Sequence, residues 1–132
     1  MQKTIQLHGK TVLVEVTGTA RHAARSLQQL LVAEIHLIFG CLVVKRVWFK
    51  AAEEVRMQPV LISDRLGAAF RVVRYAKSCR ISNIDKGDEL PMDFPLAGDK
   101  RRYVPDWLKI DFRNGKWVGS YGYGNRAEQL MP

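Results

Sequence analysis

Between Thr19 and Phe39 the chain keeps a single hydrophobic period longer than anywhere else, and this stretch limits what the remaining residues can do. Stepped at roughly 100° per residue, Ala20, Ala23, Ala24, Leu27, Leu30, Leu31 and Ile38 fall on one side, the pattern of an amphipathic helix. Thr19 supplies a hydroxyl for the first turn and Gly40 a permissive backbone for the last. The spacing therefore predicts one long central helix over Thr19–Phe39, which the other elements cover.

Its two halves differ in character. Arg21, His22, Arg25, Gln28 and Gln29 leave a polar flank in the first half, whereas Leu30–Phe39 is apolar all round except for Glu34 and His36. In helical projection Glu34 points into the apolar stripe and His36 almost opposite. A buried carboxylate must be paired, reach water or keep its proton. Three readings follow: an ion pair with a facing cation, for which Lys45 and Arg46 are the nearest candidates, a dimer contact, or a catalytic acid.

Around this helix the sequence places hairpins. Lys3–Leu7 and Thr11–Val16 alternate as strands joined at Gly9-Lys10, a register that sets Leu7 against Val12 and Ile5 against Val14. Near the other end, Asn114-Gly115 lies between Trp107–Phe112 and Trp117–Tyr123, the strongest short-range hairpin signal. That register sets Phe112 against Trp117 and Leu108 against Tyr121, and lays Trp107 over Gly122. Cys41–Phe49 reads as a central strand, Lys50–Gln58 as a short helix or turn ended by Pro59, and Val60–Ile62 as a short buried strand. Ser63 caps a second helix running to about Cys79, with a strand over Phe70–Ala76 as the competing reading. The expected class is α+β: a single domain over residues 1–132, with an antiparallel sheet bearing N- and C-terminal hairpins packed on one long central helix and a second helix near 64–79.

Twenty-one Lys and Arg against thirteen Asp and Glu give a net charge of +8, which favours an anionic partner. The most uniformly basic element is the second helix, whose Arg65, Arg71, Arg74, Lys77 and Arg80 present cations with no acid between Arg65 and Arg80. Further patches are Lys100, Arg101 and Arg102, and Arg113 with Lys116 about the Asn-Gly turn. Together these residues make a nucleic-acid surface; the bland alternative is a solvated face answered by the acidic loop Asp85–Asp99. Tyr103, Trp107 and Tyr123 are the aromatic residues left over as platforms for base stacking once the hairpin core is filled. Gly18, Thr19, Arg21 and Arg25 gather at the start of the central helix, where positive side chains oppose the helix dipole unless an anion or an acidic side chain offsets them. They form a second, smaller anion-binding candidate.

The glycine spacing matches no nucleotide-binding loop, so no cofactor is expected. His8, His22 and His36 are widely separated and have no cysteine or histidine at zinc spacing, which predicts no metal. No serine elbow or cysteine–base pair appears, and although Glu34 or His22 would serve an enzyme, no arrangement names a reaction or a catalytic residue. Cys41 and Cys79 read as buried thiols of a reducing, cytoplasmic protein. The apolar run Leu30–Val44 is broken by Glu34, His36 and Gly40 and falls short of the roughly 20 residues of a membrane span. The sheet edges and the all-round apolar half of the helix suggest a homodimer. The reading reached from the residues is a non-enzymatic basic binding module for an anionic partner, foremost nucleic acid. The alternatives are a small-ligand protein or small enzyme with its pocket between helix and sheet, and a homodimeric protein-interaction subunit.

Overall fold

A computed structural model describes residues 1–39, 43–74, 92–93 and 100–124. Nine strands and one short helix follow in order: β1 (Gln2–Leu7), β2 (Lys10–Val16), α1 (Gly18–Ala24), β3 (Leu31–Phe39), β4 (Val44–Ala51), β5 (Val60–Leu61), β6 (Leu66–Arg74), β7 (Met92–Asp93), β8 (Trp107–Arg113) and β9 (Lys116–Gly122). Single 3-10 turns occupy Ala52–Glu54 and Lys100–Tyr103. One sheet has the order β1-β2-β8-β9; the other has the order β4-β3-β6-β5, with β7 also paired to β6. The described chain is thus mostly β, and the expected α+β fold around a long helix is overturned.

The helix stops early for a local reason. Thr17, not Thr19, is its N-cap, accepting a hydrogen bond from the Ala20 amide. After Ala24 the amides of Arg25, Ser26 and Leu27 bond to the carbonyls three residues back, a tightening that ends an α-helix. From Leu31 the chain is extended as β3, which lies between β4 and β6. A strand in the middle of a sheet buries both faces and so reads as a continuous apolar run, which a helical projection cannot tell from a fully buried helix. The all-round apolar stretch that suggested a dimer contact is consumed in this way within the chain.

The second expected helix is also a strand over its described part. β6 runs parallel to β3 from Leu31↔Leu66 to Phe39↔Arg74, which bears out the competing strand reading for Phe70–Arg74; residues 75–79 lie outside the described set. Nor is there one antiparallel sheet. Both sheets are mixed, because β2 pairs with β8 in parallel as β3 does with β6. β4, expected as a central strand, is the edge of its sheet, and Leu61 of β5 is exposed. Cys41, Cys79 and the acidic loop expected over Asp85–Asp99 fall outside the described residues, apart from Met92–Asp93 in β7.

Both hairpins are present. β8 and β9 pair as expected, with Phe112↔Trp117, Leu108↔Tyr121 and Trp107↔Gly122. Asn114 and Gly115 both take positive φ, 53° and 76°, as a tight primed turn demands. The N-terminal hairpin turns one residue earlier than expected, at His8-Gly9, where φ is 49° and 81°. Leu7 therefore meets Lys10 and Ile5 meets Val12, a two-residue shift that keeps the same side chains on the buried face.

The sheets enclose one core, with Ile5, Val12, Val14, Val16, Leu108 and Ile110 on one side and Ala33, Ile35, Leu37, Phe70 and Val72 on the other. At one flank β4 meets β9, where Lys45 Nζ donates to the Tyr121 carbonyl at 3.2 Å and Tyr121 Oη to the His36 carbonyl at 2.6 Å. At the other flank Lys3 Nζ donates to the Ile62 carbonyl at 2.8 Å.

Candidate functional site

Parallel pairing of β3 with β6 and of β2 with β8 gathers several chain segments at one end of the sandwich. β2 ends there and leads through Thr17 into α1, while β3 and β6 both begin there. Ala20 and Ala24 are buried, so the opposite flank of α1 faces out, carrying Arg21 and, one turn on, Arg25. The turn before β6 is held by the Ile62 and Ser63 amides on the Leu66 carbonyl, and the Arg65 carbonyl accepts from the Leu31 amide at 2.9 Å. Between this turn and α1 opens a cleft of about 490 Å³. Val16, Ala24 and Leu66 lie buried beneath it; Arg21, Arg25 and Arg65 supply cations, Ser63 a hydroxyl and Asp64 one carboxylate. Met1 closes one side.

The three arginines are exposed, and among the described residues none has an ion pair or a side-chain hydrogen bond. Three arginines about one cleft repel one another, and among the residues lining it Asp64 alone carries the opposite charge. In sequence Arg65 stands far from Arg21 and Arg25, within the most uniformly basic stretch. Only the parallel crossover from β3 to β6 joins them.

The start of α1 is not open in the same way. Asp111 on β8 places its carboxylate there, its Oδ1 accepting from the hydroxyls of Thr17 at 2.7 Å and Thr19 at 3.0 Å. These bonds, the Thr17 one foremost, together with the Phe112 amide, hold the Asp111 carboxyl below its ordinary range. The acid that offsets the helix dipole is thus a side chain of this protein, set at Thr17 and Thr19, while Arg21 and Arg25 line the cleft.

The other predicted cations separate. Arg113 and Lys116 flank the β8–β9 turn at the same end of the sandwich as the cleft, with Arg113 Nε 3.0 Å from Asp111 Oδ2. Lys100, Arg101 and Arg102 belong to the 3-10 turn before β8, and the side chain of Arg101 packs beside Gly9 at the other end of β2. Arg102 lies over the ring of Tyr103, 5.5 Å from its centroid. Arg74 closes β6, and Lys77 and Arg80 lie outside the described residues.

Arg71 cannot lie along a phosphate backbone. It is 6% exposed, and its Nη1 is 3.2 Å from Glu34 Oε1. The same oxygen accepts from Lys50 Nζ at 3.2 Å and contacts His36 Nε2 at 2.5 Å. Strand geometry produces this cluster: Glu34 and His36 are two apart on β3 and share a face, with Trp48 and Lys50 of β4 on one side and Arg71 of β6 on the other. The ion-pair reading of Glu34 therefore holds with different partners from those expected, since Lys45 is directed to Tyr121 instead. Burial alone would raise the Glu34 pKa, but His36 and Lys50 outweigh it and bring it down to about 2. Burial, helped by Arg71 and Lys50, pushes the His36 pKa down against the pull of Glu34. A carboxylate already shared by two cations leaves little gain for a third charge. His36 is then neutral near pH 7, with Nε2–H donating to Glu34. With both residues 1% exposed, the cluster holds three strands together and offers no access to a substrate.

The aromatic residues left over as stacking platforms are occupied too. Trp107 is 6% exposed and covers Gly122, and Tyr123 Oη donates to the Tyr103 carbonyl at 2.5 Å. Tyr103 also meets Phe39 edge to face.

Among the described residues no group of three or more His, Cys, Asp or Glu is placed to hold a metal ion, and no helix is long and apolar enough to cross a membrane. No family model, curated protein or solved structure matches the chain.

Proposed function

We propose that this protein is a binding module for an anionic partner, with nucleic acid the class it fits best, and that contact is made through the arginine-lined end of the sandwich. The observation that supports this reading is the cleft itself: Arg21, Arg25 and Arg65 all line it, with no ion pair to them among the described residues. A guanidinium presents a planar fork that matches two phosphate oxygens, and such charge-assisted bonds are about twice as strong as neutral ones. Arg113 and Lys116 extend the positive end, and the net charge of +8 draws a polyanion to it from a distance. The contact surface differs from the one the sequence suggested. Arg71 belongs to the interior, and Arg101 and Arg102 lie toward the other end of the sandwich.

Binding of single- and double-stranded DNA and RNA, followed by anisotropy at several salt concentrations, tests the proposal. Affinity falls as salt rises, and replacing Arg21, Arg25 and Arg65 together by Ala lowers both affinity and the salt slope, the latter by about 2 to 3. No binding at low salt, or an unchanged slope in a triple variant that remains folded, overturns it.

A further inference from the structure

We infer that the cleft takes a phosphate monoester carried on a nucleoside, either a free nucleotide or the phosphorylated end of a strand, and not a run of internal phosphodiesters. This rests on the anion-binding reading above and specifies its ligand. The first argument is size. A groove that tracks a single strand covers about 4–16 nucleotides, whereas about 490 Å³ falls within the roughly 300–1,000 Å³ range of small-ligand pockets. The space holds one nucleotide unit.

The second argument is charge density. A phosphate monoester carries about −1.5 to −2 charges near pH 7 where a diester carries one. Arg21 and Arg25, one helical turn apart, line the cleft together with Arg65, and three cations about one small volume gain most from the more highly charged group. Ser63 adds a neutral donor. The third argument lies in the remaining walls. Met1, which lines the cleft and is 43% exposed, offers apolar surface to a sugar or base, which inorganic phosphate would leave uncovered. Asp64 is the one carboxylate in the lining, suited to a sugar hydroxyl or a base amino group, and it repels a second phosphate placed beside it.

The test compares one short oligonucleotide bearing a 5′-phosphate, a 3′-phosphate or only hydroxyl ends, alongside adenosine monophosphate and inorganic phosphate, each titrated against the full chain. A phosphorylated end binds about tenfold or more tightly than the hydroxyl-ended strand, adenosine monophosphate competes for the site, and inorganic phosphate competes less well. Arg21→Ala with Arg25→Ala abolishes the preference, while Arg101→Ala with Arg102→Ala keeps it. If adenosine monophosphate binds as tightly as the strand, the ligand is a free nucleotide; if the strand binds more tightly, it is a strand end. Equal, salt-sensitive binding of phosphorylated and unphosphorylated strands overturns this inference and leaves the nucleic-acid reading standing. Loss of all binding overturns both.

Discussion

Glu34 and His36 stand two residues apart on β3 and meet through a 2.5 Å contact inside the protein, on a sheet face where Lys50 and Arg71 converge on the same carboxylate oxygen. One acceptor atom therefore ties the central strand to both of its neighbours. Glu34→Ala leaves a buried guanidinium without its carboxylate, and breaking such a pair from one side costs about 3–5 kcal/mol. Arg71→Ala costs a similar amount by stranding Glu34. Lys50, whose side chain is 28% exposed, is worth about 1 kcal/mol or less. Urea unfolding gives the order, and a Glu34→Ala variant as stable as the parent refutes the role given to the cluster.

The same cluster makes the protein sensitive to acid. His36 is neutral in the fold, with its pKa pushed below the ordinary 6.5, so the unfolded chain takes up a proton there that the folded chain refuses. Its contribution is whole above pH 6.5 and is lost as pH falls below that value, with a slope of at most about 1.4 kcal/mol per pH unit. Glu34, lowered from 4.5 to about 2, contributes above pH 4.5 and is lost between there and pH 2. Stability measured by urea between pH 7 and 5 falls in the parent, and it falls less steeply in His36→Gln. Parallel curves for the two proteins would show that His36 does not titrate in this way.

What the sequence revealed and concealed divides along physical lines. The Asn114-Gly115 hairpin was legible to the residue, because a turn that needs two positive φ values selects its residues locally. The N-terminal hairpin was legible as a pair but not in register, since His8 takes the left-handed conformation that the expected glycine-first turn would have given to Gly9. β3 was misread because a strand buried on both faces has no period. The same error put Glu34 and His36 on opposite sides: two residues are about 200° apart on a helix but share a face on a strand. Arg71 followed, counted with an outward basic face when it belongs to the interior. Arg21 and Arg25 could be paired from sequence because they are one helical turn apart. Arg65 joins them only through the β3–β6 crossover, a long-range contact with no local signature.

At the β4–β9 flank, Gly119 is required by close approach. A Cβ built there would lie 2.7 Å from Val47 Cγ1 and 2.9 Å from Val47 Cβ. Gly119→Ala therefore destabilises by about 1–3 kcal/mol through overpacking. Val47→Gly removes both obstructing atoms, so the double variant is more stable than the sum of the two single changes, by about 1 kcal/mol. Strict additivity in thermal or urea unfolding would show that the sheets shift apart instead.

Thr17 links stability to the proposed binding. Its hydroxyl accepts from the Ala20 amide and donates to Asp111, so it both caps α1 and fastens it to β8. With seven residues, α1 is too short to persist on its own helix propensity, and it depends on that cap and on the burial of Ala20 and Ala24. Thr17→Ala costs about 1 kcal/mol of stability and frays the turn that positions Arg21. Binding then weakens although no charge has been removed. Asp111→Ala loosens the same turn but also deletes a negative charge at the basic end, which by electrostatics alone strengthens attraction for an anion. The two variants therefore separate placement from charge: if placement governs, both weaken binding, and if net charge governs, Thr17→Ala leaves affinity unchanged while Asp111→Ala raises it. The cleft requires the first pattern, measured at low salt with circular dichroism confirming the fold of each variant; the second would mean that Arg21 and Arg25 act only as part of a diffuse positive field.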